Sequence, residues 1–134
     1  MVELVWNAER SATVLTSSGA VMELGSPGAP TPEDLLCMAA AGCLMRSFFE
    51  LAENVTLSIL SYASTTRVQS ASADARPRVM VNVYLGVATG IDASVAERLC
   101  SACADASIVA RLLGDRLTVA CDIRVVADTE ATVH

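Results

Sequence analysis

The 134-residue sequence contains no lysine, and its one histidine is the last residue, His134. Without lysine, Schiff-base chemistry and a lysine-held phosphate are excluded. Without an internal histidine, Ser-His-Asp triads, histidine general bases and histidine-ligated metals fall away, because a terminal side chain is poorly anchored. No cofactor and no metal are expected. Aromatics make up only 4% of the chain, so its 53% apolar content is carried mainly by Ala, Val and Leu. Basic residues are scarce too. A net charge of −6 and a pI near 4.6 leave no evident basic patch, so neither nucleic acid nor an anionic membrane is an expected partner. The N-terminus starts directly on a strand-like run with no signal peptide. The uncharged run from Leu35 to Met45 is too short to span a bilayer before Arg46 and Glu50 interrupt it. The expected location is cytoplasmic.

The reactive equipment that remains is cysteine, arginine and carboxylate. The cysteines are Cys37, Cys43, Cys100, Cys103 and Cys121, an odd count among apolar neighbours that does not resemble a secreted disulfide framework. Cys100-Ser-Ala-Cys103 has the C-x-x-C spacing, but no second pair completes a zinc site and no strand precedes it as in thioredoxin. A mean hydropathy of +0.49 points to an oligomer that buries extra surface, or else to a tightly packed Ala-rich monomer.

The pattern of the chain predicts one α+β domain over 1–134 in the order βββ-α-ββ-α-β, with two helices packed on antiparallel sheet. Val2 to Trp6, Ala12 to Thr16 and Ala20 to Leu24 read as a meander with a turn at Ser17-Ser18-Gly19. Gly25 to Pro30 is a Gly/Pro loop. The long helix over Thr31 to Asn54 has Thr31 as N-cap, Pro32 at its first position, and Glu33 and Asp34 in the first turn. Apolar residues lie nearly all round it, which predicts a helix buried inside a fold. Leu57 to Ser70 and Arg78 to Val87 read as strands, with a polar loop over 70–77 and a turn at Thr89-Gly90. A second helix, capped by Asp92 or by a Ser94-x-x-Glu97 capping box, runs to about Leu113 and stops at Gly114. Leu117 to Val126 is the last strand, and 128–134 is a frayed tail.

Cys43 sits in the middle of the long helix after a run of small residues. A free cysteine on a buried helix is more often a small hydrophobe than a nucleophile. Here, however, Glu33 and Asp34 open the same helix and Arg46 lies one turn beyond the sulfur. A cation lowers a thiol pKa, and a carboxylate holds the cation in place. At helix spacing Arg46 also faces Glu50, a pairing that needs no site.

Two stretches, LG-x-PG-x-PTPEDLL-x-x-AAAGC from Leu24 to Cys43 and S-x-x-ARLLGD-x-LTV from Ser107 to Val119, resemble the OsmC/Ohr family of osmotically inducible and organic hydroperoxide resistance proteins. The resemblance implies an intertwined homodimer, two helices sandwiched between sheets, and a site at the dimer interface. It also implies reduction of organic hydroperoxides by two cysteines: the first becomes a sulfenic acid, the second condenses with it to a disulfide, and a dithiol reduces that disulfide. By the same resemblance Cys43 matches the peroxidatic cysteine, and Glu33 the glutamate that salt-bridges an activating arginine from the N-terminal strands, where Arg10 is the candidate. The family's second cysteine, in a C-P-x-S motif, aligns with Ser107, followed here by Ile108. A serine cannot form a disulfide. Cys103, about one helical turn (~6 Å) before Ser107, or Cys100 a turn further back, could replace it; an external thiol could resolve Cys43 instead; or both could be helix core. Cys37, about 240° round the helix from Cys43, and Cys121 read as packing.

Two functions follow. In the first, Cys43, Glu33, Arg10 and Cys103 carry a thiol peroxidase, and Leu36, Met45, Phe48, Phe49 and Ser107 line an apolar pocket suited to a fatty or aromatic hydroperoxide, although such residues are more often plain core. In the second, a non-catalytic dimer of the same fold binds a small hydrophobic ligand.

Overall fold

The computed structural model describes residues 1–55, 57–70, 76–88 and 93–126. Their contacts divide into two compact units, Met1–Leu36 and Cys37–His134, with the boundary one turn into the long helix. Each is described by itself.

In the first unit three short strands, β1 (Glu3–Ala8), β2 (Ser11–Leu15) and β3 (Val21–Leu24), form the expected antiparallel meander. The β1–β2 register slips between Trp6 and Ala8. At that bend Glu9 takes a positive φ of 51° and its carbonyl accepts from the Trp6 indole Nε1 at 2.9 Å. Gly25 ends β3 at φ 78°, where a Cβ would run into the Arg10 carbonyl oxygen. A glycine is needed there on both counts. The turn at 17–19 closes through Thr16 N to Ala20 O at 2.9 Å.

The long helix α1 (Pro32–Asn54) begins where the sequence predicts. Thr31 Oγ1 accepts from Asp34 N, and Asp34 Oδ2 accepts from Thr31 N, both at 3.1 Å. This is a reciprocal capping box with aspartate in place of glutamate. In its burial the helix departs from expectation. Within the chain only the stripe Ala40, Leu44, Ser47, Phe48 and Ala52 is buried, while Met38, Met45 and Phe49 stay exposed. By length and composition alone α1 is also apolar enough to cross a bilayer, since Arg46 and Glu50 do not interrupt it as far as expected. The core helix of a globular domain meets the same criterion, and here the buried stripe packs into the core of its own unit.

The second sheet holds β4 (Ile59–Gln69), β5 (Arg78–Ala88) and β6 (Leu117–Val126) in that order. On β5 the alternate residues Val79, Val81, Val83, Leu85 and Val87 are all buried. This period-2 row forms the floor of the core, and Leu44 and Phe48 of α1, Leu99 and Cys103 of α2 (Ala93–Ala106), and Ala110 of α3 (Ile108–Leu113) join it.

The α+β class holds, with two differences in detail. β6 runs parallel to β5, not antiparallel, because the helical crossover between them returns the chain to the same end of the sheet. The expected single helix to Leu113 is two, broken at Ser107. That residue is extended (φ −80°, ψ 129°), and its Oγ accepts from Ala110 N at 3.3 Å. Serine is a strong N-cap because its side chain offers the backbone this alternative partner. Gly114 ends α3 at φ 59° as predicted, followed by a 3-10 turn, Gly114–Arg116. The expected cap Asp92, the turn at Thr89-Gly90, most of the 70–77 loop and the 128–134 tail lie outside the described residues.

Candidate functional site

Cys43 projects from the middle of α1 and is half-buried. Opposite it the chain leaves α2, turns at Ser107 and starts α3, so three donors converge on the sulfur. They are the Ser107 hydroxyl and the backbone N–H groups of Val109 and Ile108. The Ser107 hydroxyl is the largest influence and, with the Val109 and Ile108 N–H groups and the Arg46 charge, it holds the Cys43 thiol below its ordinary range; partial burial opposes them. Ser107 itself is 1% exposed. Its oxygen accepts from Ala110 N while its proton is free to point at the sulfur. A thiolate so placed is favoured because each donor stabilises the charged form and not the neutral one.

Arg46 acts from outside. Its guanidinium is exposed and pairs with Glu50 at 3.4 Å, the i,i+4 pairing foreseen from spacing, and its charge is the weakest of the groups acting on Cys43. The other expected activators, Arg10 and Glu33, belong to the N-terminal unit, where both are exposed. Among the described residues they form no ion pair with each other.

The remaining cysteines are arranged differently from expectation. Cys100 of α2 is disulfide-bonded to Cys121 of β6, with Cα atoms 6.7 Å apart. Cys100 is therefore not a free thiol available to Cys43, and Cys121 is more than packing. The parallel return of the chain lays α2 against β6, a proximity that no local spacing could reveal. Cys103 is 3% exposed, and its Sγ donates to the Cys100 carbonyl at 3.0 Å. Burial pushes its thiol up to about 11. Cys37 is a free, half-buried thiol on α1.

Of the expected pocket residues, Phe48 is 1% exposed and belongs to the core. Phe49 and Met45 are 38% and 44% exposed and do reach the surface of α1, and Leu36 closes the N-terminal unit. Sequence reasoning missed Tyr62 of β4. Its ring lies 5.6 Å from Phe48 and 5.5 Å from Phe49, making a three-ring cluster with the 5.8 Å Phe48–Phe49 pair. Burial, with the neighbouring Cys103 thiol, pushes the Tyr62 hydroxyl up to about 12, so it stays protonated. Also missed was the N–H pair of Ile108 and Val109, for which Ser107 ahead of two β-branched residues was the available signal. No group of three or more His, Cys, Asp or Glu side chains among the described residues is placed to hold a metal ion.

A thiol with its pKa lowered by a serine hydroxyl and two backbone N–H groups, in a fold of this topology, defines a class. The family model for OsmC-like proteins matches residues 25–122, and the chain belongs to that family. Solved structures show the same fold. An organic hydroperoxide resistance protein of the OsmC type from Legionella pneumophila is 19% identical with a TM-score of 0.68, covering 92% of this chain and 94% of its own. An OsmC-like protein from Mycoplasma pneumoniae is 13% identical with a TM-score of 0.73, covering 94% and 96%. The organic hydroperoxide resistance protein OhrB of Bacillus subtilis is 12% identical with a TM-score of 0.66, covering 92% and 98%. No curated protein matches the chain.

Proposed function

We propose that this chain is a thiol peroxidase for hydrophobic organic hydroperoxides, working as a single-domain, cytoplasmic homodimer with Cys43 as its nucleophile. The observation that carries the reading is the convergence of the Ser107 hydroxyl and the Val109 and Ile108 N–H groups on the Cys43 sulfur, contacts that favour its thiolate. The Cys43 thiolate attacks the outer peroxide oxygen. The O–O bond breaks, a sulfenic acid remains on the sulfur, and the leaving alkoxide takes a proton from water to become the alcohol. An external thiol then condenses with the sulfenic acid, releasing water, and a second thiol frees Cys43 as the external disulfide departs. On the resemblance, Ser107 stands where the family has its second cysteine, and the buried Cys103 stays protonated, which supports a cycle with one protein thiol and an outside reductant.

The apolar side chains that one copy leaves in water support the dimer. Met38, Met45 and Phe49 of α1 and Ile108 and Leu112 of α3, the last two 70% and 81% exposed, are more than one copy conceals. The same surface favours a second reading, a non-catalytic dimer that seats a small apolar ligand beside Cys43. A turnover assay separates the two. With cumene hydroperoxide and a dithiol reductant, the wild-type protein consumes peroxide and the Cys43→Ser variant does not; equal rates for both would remove the peroxidase reading.

A further inference from the structure

The Cys100–Cys121 disulfide lies in the wall of a 570 Å³ cavity formed by α2, α3 and β6, well supplied with charge from Glu97, Asp105 and Arg111. The two sulfurs are not equally reachable. Cys100 is 4% exposed beneath α2, whereas Cys121 is half-buried on β6, the edge strand of its sheet. Both cysteines line the cavity, and Cys121 is the more exposed of the two. The Arg111 guanidinium is exposed on the same wall and, among the described residues, makes no ion pair. The one other cysteine of the C-x-x-C pair, Cys103, keeps its proton on the Cys100 carbonyl and is buried, so it does not compete for the disulfide.

We propose that Cys100–Cys121 is a thiol–disulfide exchange centre, separate from Cys43, whose cavity takes a low-molecular-weight thiol bearing both a carboxylate and an ammonium group. Arg111 receives the carboxylate, and one of the two lining carboxylates, Glu97 or Asp105, the ammonium. The incoming thiolate attacks Sγ of Cys121, the S–S bond breaks, and Cys100 leaves as a thiolate that takes a proton from water. A second molecule of the thiol then attacks the mixed disulfide on Cys121. The protein disulfide gains two electrons, and two small thiols are oxidised to their own disulfide. The reverse reaction, with the small disulfide as oxidant, restores the bond. Reduction unties α2 from the edge strand, so the centre couples the thiol pool to the helix that leads into Ser107. Disulfides in a reducing cytosol are mostly transient or redox-sensing, which agrees with this use in the compartment proposed above. The centre goes beyond the peroxidase reading and does not depend on it.

The test uses the full chain carrying Cys37→Ser and Cys43→Ser, so that peroxidase chemistry cannot affect the outcome. Cleavage after Arg98, Arg111, Arg116 and Arg124 places Cys100 and Cys121 on separate peptides. After incubation with cystine these peptides are expected as one linked species, and incubation of the native protein with cysteine opens it to two alkylatable thiols. In a further Cys100→Ser variant, cystine leaves half-cystine on Cys121. Arg111→Ala slows opening by cysteine about threefold, the scale of one exposed charge contact, and leaves opening by the neutral 2-mercaptoethanol unchanged. A linkage that cystine never forms, or that opens only after denaturation, overturns the exchange centre. An Arg111→Ala effect that is absent, or equal for the two thiols, overturns the charge-selected ligand.

Discussion

Replacing Ser107 by alanine removes the largest of the influences that lower the Cys43 pKa and leaves the Val109 and Ile108 N–H groups in place. A hydrogen bond to a charged acceptor contributes roughly 1.5 kcal/mol net, and about 1.4 kcal/mol is a tenfold change in the thiolate population. Because Cys43 is half-buried, water takes over part of the lost contact, which brings the expected effect to about three- to tenfold. The assay is the rate of Cys43 alkylation by iodoacetamide as a function of pH, read by peptide mapping. The rate follows the thiolate, so the wild-type curve rises below the ordinary thiol value of 9.0. In Ser107→Ala it moves to higher pH, and alkylation at pH 7 falls by that factor. The same substitution removes the N-cap of α3, at a cost of about 1 kcal/mol that appears in thermal unfolding but not in the position of the pH curve. The linkage has a definite sign. The folded-state pKa lies below the unfolded one, so the thiolate contacts stabilise the protein above the unfolded value, and that stabilisation is lost as pH falls through the folded value. A Ser107→Ala curve superimposable on that of the wild type would refute the assigned cause.

Ser107→Cys places a thiol where the structure holds a hydroxyl against Cys43, and one equivalent of organic hydroperoxide should then yield an intramolecular disulfide from that site to Cys43 in non-reducing mass analysis; its absence would show that the two side chains do not meet. Leu44 is fully buried in the core of the second unit, so Leu44→Ala should cost about 3 kcal/mol in urea unfolding, and a loss below about 1 kcal/mol would contradict that placement. Gly25→Ala combines a positive φ of 78° with a clash against the Arg10 carbonyl, so the first unit should lose about 2 kcal/mol, seen as faster amide exchange in β2 and β3.

The parts of this molecule that were legible in the sequence are those encoded locally. Thr31 and Asp34 mark the start of α1 within four consecutive residues, and β5 writes its buried face in a plain alternation from Val79 to Val87. Ser107 shows the limit. Neither glycine nor proline interrupts the chain from Ala93 to Leu113, and only the competition of Ser107 for the Ala110 N–H, a choice decided in the folded chain, splits one helix into two. That split is what aims backbone N–H groups at Cys43. The Cys100–Cys121 bond was out of reach for a different reason: it follows from the parallel return of β6, a property of topology and not of spacing. The exposure of Met45 and Phe49 was hidden by the very apolarity of α1, which reads the same whether a helix faces its own core or a second copy.

The central claim is that Cys43 is a thiolate nucleophile toward hydroperoxides, and the most direct measurement follows the fate of its sulfur. Reduced protein is given one equivalent of cumene hydroperoxide in the presence of dimedone, and the adduct is located by peptide mapping. The account predicts rapid loss of the peroxide with one dimedone on Cys43, and no adduct on Cys37 or Cys103. A Cys43 that remains reduced while the peroxide persists contradicts it, and turns the proposal to the second reading, a non-catalytic dimer that seats a small apolar ligand.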